Sequence, residues 1–187
     1  MNKIDNAFNF YIRHIYDEEK MRLLKENNLK VAGSVPAVMW ELFGAILTGC
    51  SGVSTTGTDL NGWEVKSAKN GGSFEYQYHL NTGIKKLKDD CLVNHLFCTY
   101  SETYKNVVVR AIKGENLAAH FFRKWEPEYF LNYNPSAPSK ERRQRFRKNI
   151  PFKYTEINGW VILKIQDGLI TERNDTILDE LNGEQSI

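Results

Sequence analysis

Both the fold and the candidate site follow from one stretch of the chain, Thr58-Asp59-Leu60-Asn61-Gly62-Trp63-Glu64-Val65-Lys66-Ser67-Ala68. Asn61-Gly62 is the strongest short signal for a β-hairpin, and it predicts a two-residue type I′ turn. Such a turn sets Asp59 directly opposite Glu64, with Cβ atoms roughly 4.5–5.5 Å apart. The stretch therefore predicts a hairpin that brings two carboxylates together.

The strand after this turn alternates in character. Successive side chains of a strand point to opposite faces, so Trp63 and Val65 share one face while Glu64 and Lys66 share the other. The apolar face is expected to enter the core. Asp59, Glu64 and Lys66 are then expected to converge on the other face.

Two carboxylates opposed across a hairpin repel each other unless something neutralises them. A divalent cation does so, and Mg²⁺ prefers carboxylate oxygens. A lysine one pleat away can orient or deprotonate a metal-activated water, or stabilise charge growing on a phosphate. These are the parts needed to hydrolyse a phosphodiester. The alternative is a surface hairpin in which Glu64 and Lys66 form an ion pair near Asp59.

Glu41 is the only charged residue between Val31 and Thr58. It lies in a predicted helix with Ser34 as its cap and Pro36 in its first turn. That helix runs to about Thr48, ends at Gly49, and is apolar on nearly all sides, as in a buried helix. A buried carboxylate needs a partner. Glu41 is therefore a candidate fourth member of the acidic site. A partly exposed helix edge, or a structural bond to Lys66 or to a backbone group, is the alternative.

The rest of the chain predicts an α/β (α+β) domain with a central mixed sheet flanked by helices. Other helices are predicted over 3–16, 17–27, 114–124 and 139–149, a loop over 127–138, and strands over 73–80, 94–100, 105–112 and 157–165. A short helix is expected within 171–187. We expect one domain, with N-terminal helices over 1–30, the catalytic core over 31–125, and a basic segment, strand and acidic tail over 126–187.

Composition narrows the functional classes. The 187 residues suit one domain, and a net charge of +2 neither requires nor excludes a polyanionic partner. Cys50, Cys91 and Cys98 form no CxxC pair, which argues against a disulfide scaffold or a structural zinc site and favours the cytoplasm. No signal-peptide pattern or apolar run of about 20 residues is present, so no membrane partner is expected.

The order of the site residues resembles that of a known group of enzymes. A buried helix with an inward Glu is followed by a small-residue loop, an Asp, and Gly-Φ-Glu-Φ-Lys on a strand, where Φ is apolar. These parts are Met39-Trp40-Glu41-Leu42-Phe43-Gly44-Ala45, Gly49-Cys50-Ser51-Gly52, Asp59 and Gly62-Trp63-Glu64-Val65-Lys66. The pattern resembles the PD-(D/E)xK nuclease superfamily, and most of all its MutH-like branch. The close similarity covers about residues 35 to 68, and Thr58 stands where the superfamily often has Pro.

The resemblance implies a restriction-endonuclease-like core with a Mg²⁺ site, in which Mn²⁺ can substitute. Asp59 and Glu64, with Val65, would hold the metal, Lys66 would assist the attacking water, and Glu41 would support the site. In size, the chain also resembles the small catalytic subunits of heterodimeric type IIS restriction endonucleases. Their larger partner recognises DNA and cuts the other strand.

Candidate DNA contacts lie outside the motif. A cluster of basic residues within 140–148 has two interpretations, which are phosphate contact and a solvated helix. Tyr76 and Tyr78 share one face of a predicted strand, where they could reach DNA or pack in the sheet with a polar tip. His79 could lie near the scissile phosphate. The basic cluster consists of Lys140, Arg142, Arg143, Arg145, Arg147 and Lys148.

The sequence thus predicts a Mg²⁺-dependent DNA endonuclease of a restriction system. Its partners would be double-stranded DNA and a larger recognition subunit. A stand-alone homodimer that cuts both strands and a MutH-like nicking enzyme are open alternatives. So are a nuclease specific for RNA or nucleic-acid structure and a non-catalytic DNA-binding module.

Overall fold

The computed structural model describes residues 2–53, 57–133, 136–138, 140–141 and 145–184. Its centre is a five-stranded sheet in the order β1-β3-β4-β6-β7, in which β1 and β3 are parallel and the other neighbours antiparallel. A separate antiparallel ribbon joins β2 and β5. The strands are β1 (Trp63–Lys69), β2 (Phe74–His79), β3 (Asn94–Tyr100), β4 (Val107–Lys113), β5 (Arg145–Ile150), β6 (Trp160–Gln166) and β7 (Leu169–Arg173).

Helices flank the central sheet, which confirms the predicted α+β class. A π-helical turn (Tyr11–Ile15) follows α1, and a second (Ala118–Phe122) links α5 to α6. The helices are α1 (Lys3–Phe10), α2 (Glu18–Glu26), α3 (Ala37–Thr48), α4 (Gly83–Asp90), α5 (Gly114–Leu117), α6 (Arg123–Asn132), α7 (Phe152–Asn158) and α8 (Asp175–Glu184). Within the residues described, no helix combines the length and the apolar character needed to span a bilayer.

The sheet separates two apolar cores. The first packs α1, α3 and α8 against the face that carries Trp63 and Val65. The second lies under the opposite face and contains Ala68 of β1 together with side chains of α4, α6 and the β2–β5 ribbon. The predicted alternation of β1 is therefore confirmed, and it sends Glu64 and Lys66 away from the first core.

Helix α3 lies close against β1. A Cβ added to Gly44 would meet Val65 Cγ2 at 2.8 Å, closer than real contacts come. The helix ends at Gly49, as predicted, in a left-handed conformation with φ of 75°. The predicted start is corrected, because Pro36 rather than Ser34 occupies the N-cap and makes no side-chain cap bond. The result is a fixed separation between the helix that carries Glu41 and the strand that carries Glu64.

The turn at Asn61-Gly62 exists but differs in type. Leu60 and Trp63 exchange two backbone hydrogen bonds of 2.9 and 3.1 Å, as a two-residue hairpin requires. Of the two turn residues, only Gly62 has a positive φ, of 76°. That pattern is typical of a type II turn, since type I′ needs a positive φ at both positions. The pairing is also limited to one bridge, so residues 58–60 do not form a full strand with β1.

Two predictions for the second half of the chain are wrong. The proposed loop over 127–138 is helical as far as Asn132, with Pro127 inside α6. The proposed basic helix over 139–149 contains β5 instead, with its register running from Phe74 opposite Ile150 to His79 opposite Arg145. Alternation in β5 buries Phe146 and Ile150 and leaves the basic residues between them outside the core.

The C-terminal part is confirmed only in outline. The strand predicted over 157–165 begins at Trp160, because α7 occupies the residues up to Asn158. The short helix expected in the tail is α8, and β7 precedes it.

Candidate active site

The loop before β1 brings the two predicted carboxylates together. The Asp59 backbone N–H donates to Glu64 Oε2 at 3.1 Å, and the Val65 N–H donates to Asp59 Oδ2 at 2.9 Å. Each carboxylate is thus held by the backbone of the other's segment. The expected proximity of Asp59 and Glu64 is present, although side chain–backbone bonds produce it instead of an extended strand ladder.

Lys66 lies between the two carboxylates. Its Nζ is 2.5 Å from Glu64 Oε1 and 3.8 Å from Asp59 Oδ2. The Glu64 side chain is 0% exposed, whereas about a fifth of Asp59 and of Lys66 is exposed. One positive charge therefore bridges both acids at the edge of a buried site.

Lys86, from α4, is a second cation at the site, and sequence reasoning missed its role. Its Nζ donates to Glu64 Oε1 at 2.7 Å, to the Gly57 carbonyl oxygen at 3.2 Å and to Asp90 Oδ1 at 3.4 Å. It therefore ties the loop before Asp59 to the strand that carries Glu64. The sequence signal that could have placed Lys86 here was helical spacing. Gly83, Leu87 and Asp90 are the buried residues of α4, and Lys86 stands four residues before Asp90.

Glu41 faces the same place from α3. It is half-buried and lines a cleft of about 310 Å³ together with Asp59, Lys86, Gln77 and His79. Among the residues that the structure describes, it makes no hydrogen bond or ion pair. The structural bond to Lys66 considered from sequence is thus not observed, and Glu41 lies beside the acidic pair as a third carboxylate.

Tyr76 and Tyr78 form the floor beneath the site. Both rings are fully buried in the second core. The Tyr76 hydroxyl is 2.8 Å from His95 Nδ1, and the Tyr78 hydroxyl donates to Asp90 Oδ2 at 2.8 Å. DNA contact would require these rings at the surface, and neither is there. The prediction of DNA contact is therefore corrected in favour of the alternative, packing in the sheet with a hydrogen-bonded hydroxyl.

The floor also orients the lysine. Lys66 Nζ lies over the ring of Tyr76, 5.1 Å from its centroid. A cation over an aromatic face is attracted to the ring, by about 2 kcal/mol when desolvated. His95 Nε2 in turn lies 2.7 Å from the Asp90 carbonyl oxygen. The tyrosine and histidine rings thus support the charged groups from below.

Burial and opposite charges set the electrostatics of this cluster. Burial raises the pKa of Asp59, and Glu64 adds to this against the opposing effect of Lys66. For Glu64, the ammonium groups of Lys66 and Lys86 outweigh burial and lower the pKa. Burial lowers the pKa of Lys66, but Glu64 and Asp59 more than offset this, so it is raised. At neutral pH the cluster therefore holds a charged Glu64–Lys66 pair next to a less acidic Asp59.

The remaining acids share the effect of burial. Burial and then Asp59 raise the pKa of Glu41. Burial and then Glu64 raise the pKa of Asp90. The site holds more carboxylates than Lys66 and Lys86 can neutralise, so a further cation would be stabilised there.

The predicted basic cluster is divided by the β5 strand. Arg145 and Arg147 are exposed, and Lys140 is exposed in the preceding turn. Lys148 points to the other face and pairs with Glu128. Arg142 and Arg143 lie outside the described residues. His79 is exposed at the cleft, so its predicted role near a phosphate remains a prediction.

The donor set fits a hard divalent cation. Mg²⁺ typically uses one or two carboxylates and completes its shell with water and phosphate oxygens. Asp59 and Glu64 provide such a pair around the point where Lys66 Nζ lies. In the described part of the chain, no three or more His, Cys, Asp or Glu side chains are grouped so that they could hold a metal ion together. Asp59 and Glu64 are a set of two, so water and phosphate oxygens would supply the other ligands. Val65 presents its backbone N–H to Asp59, so its main chain lies next to the same carboxylate.

Comparison with known proteins adds no family assignment. No protein-family model matches the chain, and no curated protein matches it in sequence. The functional conclusion therefore depends on the geometry of the site.

Proposed function

We propose that this protein is a Mg²⁺-dependent DNA endonuclease that hydrolyses phosphodiester bonds. One observation carries the proposal. Two carboxylates on adjacent segments, Asp59 and Glu64, lie within 4 Å of the same cationic nitrogen, and Asp59 lines the neighbouring cleft while Glu64 is buried behind it. Opposed carboxylates repel each other unless cations neutralise them, and a pair of carboxylates is a donor set that Mg²⁺ uses.

The residues divide the chemistry among them. Asp59 and Glu64, with the Val65 carbonyl, would hold Mg²⁺, which lowers the pKa of bound water and neutralises phosphate charge. Lys66, held over Tyr76, would position the attacking water or stabilise charge on the phosphate. Glu41 faces the cleft with a raised pKa, so it can accept or hold a proton near the site.

Lys86 fixes the geometry of this site. By bonding to Gly57, Glu64 and Asp90, it holds the Asp59 loop against β1. Catalysis by positioning is sensitive to shifts of about 1 Å, which can cost about 100-fold in rate. In this proposal Lys86 is a positioning residue, and Lys66 contacts the reacting groups.

We also propose a larger recognition and nicking subunit as the partner, as expected of a small type IIS subunit in the cytoplasm. In that case the chain cuts little alone and cuts one strand when the partner is supplied. A stand-alone homodimer would instead cut both strands of its site, and a MutH-like enzyme would nick without the larger subunit. The three versions share the chemistry and differ in products.

The direct experiment is cleavage of supercoiled plasmid with Mg²⁺, Mn²⁺ or EDTA. Wild type is compared with Asp59→Ala and Lys66→Ala, and with Lys85→Ala as a matched control on the exposed side of α4. We expect metal-dependent cutting, weak when the chain is alone, that disappears in the two site variants and remains in the control. Equal cutting by Asp59→Ala would contradict the proposal. Circular dichroism of each variant separates lost activity from lost fold.

A further inference from the structure

The β2–β5 ribbon has two different faces. Its inner face packs into the second core through Phe74, Tyr76, Tyr78, Phe146 and Ile150. Its outer face is polar, because the residues between them point the other way. This outer face consists of Glu75, Gln77, His79, Arg145, Arg147 and Asn149.

Positive charge is concentrated at one end of that face. Arg145 is opposite His79 and Arg147 is opposite Gln77 in the register of the ribbon. Directly opposed residues of an antiparallel pair share a face. Arg147 is 3.8 Å from Glu75, with both side chains about half exposed. Exposed pairs of this kind contribute about 0–1 kcal/mol, so Arg147 can exchange that partner for a phosphate.

The same end of the ribbon borders the candidate active site. Gln77 and His79 line the cleft that contains Asp59, Glu41 and Lys86. The arginines opposite Gln77 and His79 therefore extend the cleft wall outward along one continuous polar surface. Within the described residues, Arg145 makes no ion pair, which leaves its guanidinium available on this surface.

We propose that the outer face of the β2–β5 ribbon is the docking surface for the backbone of duplex DNA next to the scissile phosphate. Arg145 and Arg147 contact phosphates, and His79 and Gln77 lead the strand into the cleft. Guanidinium groups match phosphate oxygens in geometry and charge. Lys148 takes no part, because it points to the opposite face. This inference rests on the proposed nuclease function and names the surface that presents DNA to its site.

The test is binding of a fluorescein-labelled DNA duplex of about two helical turns, measured by anisotropy in EDTA so that no cleavage occurs. The variants are Arg145→Gln/Arg147→Gln and the single change Arg147→Gln. Lys148→Gln is the matched control, since it removes the same charge as Arg147→Gln from the neighbouring position on the other face. Each variant is first shown to have the same thermal unfolding midpoint as the wild type.

Each lost phosphate contact lowers the slope of log K against log[salt] by about 0.9, which is about 5-fold in affinity near physiological salt. We expect Arg147→Gln to weaken binding about 5-fold and the double variant about 25-fold, with Lys148→Gln close to wild type. Equal weakening by Lys148→Gln, or wild-type affinity in the double variant, would overturn the ribbon as a docking surface. So would absence of duplex binding by the wild-type protein.

The plasmid assay separates this inference from the proposed function. If the double variant binds normally while Mg²⁺-dependent cutting is lost in Asp59→Ala, the ribbon proposal fails and the nuclease proposal stands. If the arginine variants bind weakly but no metal-dependent cutting occurs under any condition, the surface is supported and the nuclease proposal fails.

Discussion

Replacing Lys86 tests whether the candidate site is held together by charge. Lys86→Met keeps the aliphatic stem and removes the ammonium group, which bonds to Glu64 at 2.7 Å and to Gly57 at 3.2 Å. Removing one partner of a buried ion pair costs about 3–5 kcal/mol. Glu64 keeps Lys66, and the Lys86 side chain is 20% exposed. We therefore expect Lys86→Met to lower the free energy of unfolding by about 2–3 kcal/mol.

The neighbouring lysine provides the control. Lys85 pairs with Asp89 at 2.6 Å, and its side chain is 71% exposed. An exposed pair four residues apart on a helix contributes about 0.3–0.5 kcal/mol. Urea unfolding at neutral pH, followed by circular dichroism, compares Lys86→Met with Lys85→Met. A loss for Lys86→Met no larger than that for Lys85→Met would refute the role of Lys86 as the link between the Asp59 loop and β1.

The same variant also tests the proposed metal site without requiring activity. In the wild type, a cation that binds Glu64 must compete with two ammonium groups. Removing one ammonium group leaves the carboxylates with less positive charge to neutralise them. We therefore expect Mg²⁺ to raise the unfolding midpoint of Lys86→Met more than that of the wild type, because ligand binding to the folded state stabilises it. An equal or smaller rise would contradict this competition.

Three further results are expected. Asp59→Asn should abolish cleavage and raise the urea midpoint, because the raised pKa of Asp59 means that its charge destabilises the fold; a lower midpoint contradicts this. Burial lowers the pKa of His95 to about 4, so the unfolded chain binds more protons below about pH 6.5 and stability falls on acidification. His95→Gln should remove about 2–3 kcal/mol of that fall between about pH 7 and 4.5, and parallel pH profiles for wild type and variant would disprove it. Gly44→Ala should cost about 1–3 kcal/mol by overpacking against Val65; made in a Val65→Ala background it should cost much less, and an equal cost in both backgrounds would contradict the contact.

The features that depend on neighbouring residues were predictable from sequence. The alternation of Trp63, Glu64, Val65 and Lys66 follows from the period of a strand, and the structure has the same faces. Gly49 ends α3 because a left-handed residue is easiest for glycine. The proximity of Asp59 and Glu64 was also expected from a turn only two residues long, although backbone N–H groups bonded to the two carboxylates hold them there.

Features that depend on distant contacts were not predictable in the same way. The charges around Phe146 suggested a helix, but β5 forms because Phe146 and Ile150 pack in the second core and the backbone pairs with β2. Pro127 suggested a loop, but α6 continues past it between the buried residues Trp125 and Tyr129. Tertiary packing overrides local propensity in both cases.

Lys86 shows the same limit within the site itself. It is 22 residues from Glu64 in the chain, and the two side chains meet only through the tertiary fold, in which α4 packs against β2. In the sequence it stands with Lys85 and Lys88, a small basic group for which phosphate contact and a solvated face are equally open interpretations. Its helical spacing of four residues from Asp90, which is buried, distinguishes it from these neighbours.

The most direct measurement of the central claim is calorimetric titration of Mg²⁺ or Mn²⁺ into the wild type and Asp59→Ala, with plasmid cleavage run in parallel. We predict metal binding by the wild type that disappears in Asp59→Ala, together with cleavage that requires the metal and is strongest when the larger subunit is present. A wild type that binds no metal and cuts no DNA, alone or with that partner, would contradict the nuclease account. Asp59, Glu64 and the two lysines would then form a structural charge cluster.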